Sequence, residues 1–114
     1  MRSYPTKWVA EQQPIKMHIK IHEAYRSIVA LADSDIIGQT FIEGIRQIEV
    51  RPNFFEGDKK TKEEIIQILK EMNQEDATFN IVGKESIETA LEAGIINKEG
   101  IMKIDNVPVA LGLF

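Results

Sequence analysis

Ala77-Thr78-Phe79-Asn80-Ile81-Val82-Gly83-Lys84-Glu85-Ser86-Ile87-Glu88-Thr89-Ala90-Leu91-Glu92-Ala93-Gly94 carries the reading that decides the fold. Residues 77–82 predict a short strand, with Phe79 and Ile81 on one face. Residues 84–93 predict a helix whose apolar stripe is Ile87, Ala90 and Leu91. Gly94 fits the left-handed position that closes a helix. A strand that feeds straight into an amphipathic helix needs a sheet for one and a covering layer for the other.

The flanking segments extend this pattern. Upstream, Thr61-Lys62-Glu63-Glu64 is a capping box, and Ile65, Ile66, Leu69 and Met72 follow at helical spacing. Residues 46–50 read as a strand with Ile48 and Val50 inward, ended by Pro52, which has no ladder donor. Asp33-Ser34-Asp35 is a helix-start signal for a short helix over residues 34–39. Residues 16–22 alternate cleanly, Met17, Ile19 and Ile21 against His18, Lys20 and His22, and pair in a hairpin with residues 26–32. Downstream, residues 101–104 and 107–113 form a final hairpin around Asp105-Asn106, with Pro108 placing the last strand, at least its start, at an edge. The order is β-β-α-β-α-β-α-β-β: an α+β domain with a mixed, mostly antiparallel sheet and two or three helices.

The chain has 114 residues, a net charge of −4 and no cysteine. One domain is expected at this length, with residues 1–15 as a separate leader and 16–114 as the domain. Without cysteine there is no disulfide, thiolate nucleophile or Cys-type zinc site. No apolar run approaches the roughly 20 residues of a membrane-spanning helix, and the N-terminus lacks a signal-peptide core. A cytoplasmic protein is expected. The mild acidity argues against a nonspecific nucleic-acid coater, while leaving room for a local basic patch. Phe114 ends the chain on an apolar residue, which suggests a packed C-terminus.

Few residues suggest chemistry. His18 and His22 lie four apart on a strand, roughly 13 Å, too far for one metal ion, so both read as exposed. No serine sits in a nucleophile-elbow context. Gly83-Lys84 opens a helix, where free amides attract anions, but the upstream glycine of a phosphate loop is missing. Asp33, Asp35 and Glu43 could offer oxygen ligands to Mg²⁺, although the aspartates sit where a helix should be capped. The charges on residues 59–76 alternate in sign, as on a solvated helix face. Arg2, Lys7, Lys16, Lys20 and Arg26 with Tyr4, Trp8 and Tyr25 suit stacking on single-stranded RNA. No cofactor and no metal are expected.

From about Met17 to its end the chain resembles the domain of unknown function 424 family, a group of small archaeal proteins. The likeness rests on Ile37-Gly38-Gln39-Thr40-Phe41, Glu43-Gly44, Ile48 and Val50, Phe54-Phe55-Glu56-Gly57, Asn80-Ile81-Val82-Gly83-Lys84-Glu85 and Ala93-Gly94-Ile95-Ile96, in that order. The family often carries His and Gln after a Val-Pro near its end, whereas Val107-Pro108 is followed here by Val109-Ala110-Leu111. The leader is longer than the family pattern. The resemblance implies an archaeal cytoplasmic protein with one α+β domain, and brings no established activity.

Two functional expectations follow. The first is a non-catalytic binding module for RNA or a ribosome-associated protein, with Gly38, Gln39, Thr40 and Glu43 on one loop and Asn80, Gly83 and Lys84 on another; a homodimer through the C-terminal strand edge is a variant of it. The second is an enzyme acting on a phosphorylated or carboxylated metabolite, with Lys84 and the amides after Gly83 on the anion and Asp33 or Glu43 as acid or base. The residues favour the first.

Overall fold

The alternation of residues 17–22 produces the strand it predicts. In the computed structural model, which describes residues 17–112, strand β1 is Met17–His22 and β2 is Ile28–Asp33, followed by a 3-10 turn at Ser34–Ile36. A small hairpin, β3 (Thr40–Glu43) and β4 (Arg46–Glu49), leads into helix α1 (Pro52–Phe55) and the two-residue strand β5 (Asp58–Lys59). Helix α2 (Lys62–Gln74), strand β6 (Thr78–Val82) and helix α3 (Lys84–Ala93) come next. A 3-10 turn at Lys98–Gly100 precedes the final hairpin, β7 (Met102–Ile104) and β8 (Val107–Leu111).

The main sheet has six strands in the order β5-β1-β2-β6-β8-β7, and β3-β4 form a separate pair. Among the described residues only β2 and β6 run parallel, and the remaining pairs are antiparallel. The domain is therefore α+β with a mixed, mostly antiparallel sheet, as the sequence implies. Residues 1–15, Lys16, Leu113 and Phe114 lie outside the described residues, and with them the leader and the expectation of a packed C-terminus.

Two cores lie on opposite faces of the sheet. Val29, Leu31, Phe79 and Ile81 pack under Ile65 and Leu69 of α2 and Ile87 and Ala90 of α3. On the other face, Ala30, Ala32, Val82 and Val109 meet Val50 and Phe55. The two alanines leave room for α1 to approach the sheet closely. The capping box of α2 is complete, with Thr61 Oγ1 accepting from the Glu64 amide at 3.2 Å and the Thr61 amide donating to Glu64 Oε1 at 3.0 Å.

Four local expectations are corrected or narrowed. The short helix at 34–39 is a single 3-10 turn, because Ile37 is extended and the Gly38 amide donates to the Val50 carbonyl at 2.7 Å, turning the chain into β3. Strand β8 as a whole is interior, between β6 and β7, and only its start, Val107 and Pro108, lies beyond the β6 ladder. Pro108 is tolerated there because its nitrogen points where β6 has ended: its carbonyl accepts from Gly83 at 2.9 Å, while the Gly83 carbonyl is taken by the Ile87 amide at 2.9 Å. Ile21, expected inward, is 41 % exposed near the end of β1. The histidines are not simply exposed: His18 is only 7 % exposed and His22 is half-buried, because the α1–β5 segment crosses over them.

That segment is strapped to β1 by three side chains from one strand face. His18 Nδ1 contacts the Gly57 carbonyl at 3.0 Å, Lys20 Nζ donates to Asn53 O at 2.9 Å, and His22 Nε2 contacts Phe54 O at 2.8 Å. A carbonyl only accepts, so each imidazole nitrogen involved carries the proton. A Cβ on Gly57 would fall against the Ile19 carbonyl and within 2.9 Å of Lys20 Cβ, so only glycine lets the strap lie this close.

Candidate functional site

At the start of α3, two of the amides expected to attract an anion are held by a carboxylate of the chain itself. Asp33, at the end of β2, places Oδ1 2.8 Å from the Ser86 amide and 2.7 Å from Ser86 Oγ, and Oδ2 3.2 Å from the Glu85 amide. It caps, from 53 residues away, a helix whose own N-cap is Gly83. Asp33 is 8 % exposed, and burial raises its pKa above the ordinary 3.8, outweighing the bonds from Ser86 and Glu85 that lower it. Gly83 has φ +112°, and a Cβ there would lie 2.6 Å from Asp33 Oδ1 and 2.7 Å from Oδ2. Its glycine character serves the Asp33 carboxylate. Lys84 is exposed on the first turn of α3.

Several of the other nominated residues also make contacts within the scaffold. Gly38 and Gln39 bridge to Val50, whose amide donates to the Gln39 carbonyl at 2.9 Å. The Gln39 side chain donates to Asp35 O at 2.8 Å. Thr40 opens β3 opposite Glu49. Glu43 Oε1 accepts from the Asp105 amide at 2.7 Å, tying the small hairpin to the β7–β8 turn. Asp33 and Glu43 thus hold different partners at different elements. No group of three His, Asp or Glu side chains among the described residues could hold a metal ion.

Asn80 is placed differently. Its neighbours Phe79 and Ile81 face the helices, so Asn80 faces the side covered by α1 and the small hairpin. It is half-buried, between Ala30 and Leu111 on the neighbouring strands. No hydrogen bond from the described residues engages its amide. Above it lies a groove of about 520 Å³, bordered by His22, Ile48, Glu49, Arg51, Asn53, Phe54, Phe55 and Leu111. The His22 and Phe54 rings stack with centroids 4.5 Å apart and planes 14° apart. Arg51 Nε donates to Glu49 Oε1 at 2.9 Å, with 67 % of the Arg51 side chain exposed, which leaves its terminal nitrogens facing solvent. A second hollow of about 370 Å³ among Phe79, Ile95, Ile96 and Ala110 brings together fewer polar side chains.

Residues 22–112 match the family model described as "Protein of unknown function (DUF424)", well over half of the chain. The chain belongs to the DUF424 family. It is similar to a crystal structure of an uncharacterized conserved protein from Methanopyrus kandleri, with 20 % sequence identity and a TM-score of 0.74, over 83 % of this chain and 88 % of that one. At that identity the likeness shows the fold alone. No protein with a curated description matches the chain.

In this DUF424 chain, three of the segments that carried the resemblance converge on one place, with Ile48 at the border. Phe54 and Phe55 form a wall of the groove and Asn80 its floor, whereas Gly83 and Lys84 belong to the α3 terminus. Sequence reading found Asn80 but missed His22, Arg51, Asn53 and Phe54. The available signal was the polar face of β1: three long polar side chains in alternation need something to bind. No helix among the described residues is long and apolar enough to cross a membrane.

Proposed function

We propose that this DUF424 chain, as an archaeal cytoplasmic protein, is a non-catalytic binding module, and that the groove over Asn80 receives single-stranded RNA. The observation that supports this reading is the set of groups around one open hollow: a carboxamide without a hydrogen-bond partner among the described residues, a stacked imidazole–phenyl pair and a guanidinium that uses only Nε on Glu49. Unpaired bases are bound by stacking and by hydrogen bonds to their edges, and phosphates by Arg and Lys. The net charge of −4 restricts such contact to a local face.

The metabolite-enzyme reading has less support. Its anion-binding amides after Gly83 hold Asp33, and Glu43 holds the Asp105 amide. A second copy docking on the C-terminal strand edge would use β7, three residues long and already leaning on the small hairpin. A ribosome-associated protein is a different partner class and an outcome of the same test.

Titrating the isotopically labelled full chain with short single-stranded RNA, followed by NMR at rising salt, tests the proposal. Shifts confined to His22, Arg51, Asn53, Phe54 and Asn80, with affinity falling as salt rises, support it. An unchanged spectrum, or shifts elsewhere on the surface, overturns the RNA reading and turns the search to a protein partner.

A further inference from the structure

We infer that Asn80 selects the base in this groove by pairing its carboxamide with a base edge; the inference rests on the RNA reading above. The side chain stands at the centre of β6, and its cross-strand neighbours, Ala30 and Leu111, are apolar. Neither offers a competing hydrogen bond. The carboxamide presents one acceptor and one double donor side by side, the pattern that reads a donor next to an acceptor on a base.

The walls give a planar ligand an aromatic partner to stack on. His22 is held by its Nε2 contact with Phe54 O at 2.8 Å and stacks face to face on the Phe54 ring, so each ring braces the other. A base that stacks on this pair lies in the same groove as Asn80. Arg51 stands at the rim, engaged with Glu49 through Nε, and its terminal nitrogens suit the phosphate of the same nucleotide. Glu49 restrains Arg51 without consuming it. Affinity and selectivity thereby separate, with Arg51 and the stacked pair serving every base and Asn80 distinguishing among them.

The test uses the full chain and four RNA oligomers, each of one base type, with wild type, Asn80→Ala and Asn80→Asp. A carboxylate only accepts, and adjacent donors occur on the Watson–Crick edge of guanine, N1–H beside the N2 amino group. Asn80→Asp is therefore expected to raise the guanine-to-adenine affinity ratio about tenfold relative to wild type. The added charge repels every RNA alike and cancels in the ratio. Asn80→Ala is expected to flatten the preference, and unfolding midpoints confirm that both variants fold. Should the oligomers bind the groove with the same order of preference in all three proteins, the base-selection inference is overturned while the RNA reading stands. Should none bind the groove, both fall.

Discussion

At the scale of single residues, the most constrained contact is that of Gly83 with the Asp33 carboxylate. Two independent features require glycine: a φ of +112° and the carboxylate oxygens where a Cβ would lie. Gly83→Ala is expected to lower the unfolding free energy by about 1–3 kcal/mol, measured by urea denaturation, because it adds both backbone strain and a clash. A loss within error of zero would mean that Asp33 can move aside at no cost. Asp33 also makes stability depend on pH. Its folded pKa lies above the unfolded value of about 3.8, so the folded state holds the proton longer. Asp33's contribution is therefore greatest below about 3.8 and declines as pH rises through the interval up to the raised folded pKa. The difference in unfolding free energy between wild type and Asp33→Asn, followed across that interval, is expected to shrink as pH increases; a widening difference would contradict the role of burial.

At the scale of elements, α1 depends on its strap. It is four residues long, too short to persist alone, and is held by Phe55 in the second core and by contacts from Lys20 and His22, with His18 fastening Gly57 just beyond it. His22→Ala removes one contact and half of the stacked pair. Its expected effect is faster amide hydrogen exchange over residues 52–57, with α2 and α3 unchanged. Uniform acceleration across the chain would show instead that the strap is part of the global core. Helix α2 differs in kind, since it carries its own capping box and its apolar stripe. Thr61→Ala is expected to cost about 1 kcal/mol in thermal unfolding without altering the groove.

At the scale of the whole molecule, the organising feature is the parallel pair β2 and β6 at the centre of the sheet. Residues 34–77 intervene and supply covers for both faces, the small hairpin and α1 on one and α2 on the other. Pairing strands that far apart in sequence requires closing a long loop before the contacts form, so folding on the millisecond-to-second scale is expected. The slowest-exchanging amides should be those around Leu31 and Ile81, which are fully buried between two cores, and the fastest in β5 and the β3–β4 hairpin. Protection spread evenly through the sheet would contradict this ordering.

The sequence alone determined the features that arise from neighbours along the chain. The alternation in 17–22, the capping box at Thr61 and the strand–turn–helix of 77–94 each gave its element, and their order gave the α+β class. Such signals depend on local periodicity and local hydrogen bonds, which are written in consecutive residues. Only the tertiary structure decided what surrounds Asp33, Gly83, Asn80 and Pro108. The amides of Glu85 and Ser86 looked available until β2 delivered a carboxylate from 53 residues away. Pro108 suggested an edge for β8, and the structure limits that edge to the start of the strand, where β6 ends beside it. The groove is made by β1, β4, α1, β6 and β8 together, and periodicity within any one of them says which face a side chain occupies, not which distant segment will cover it.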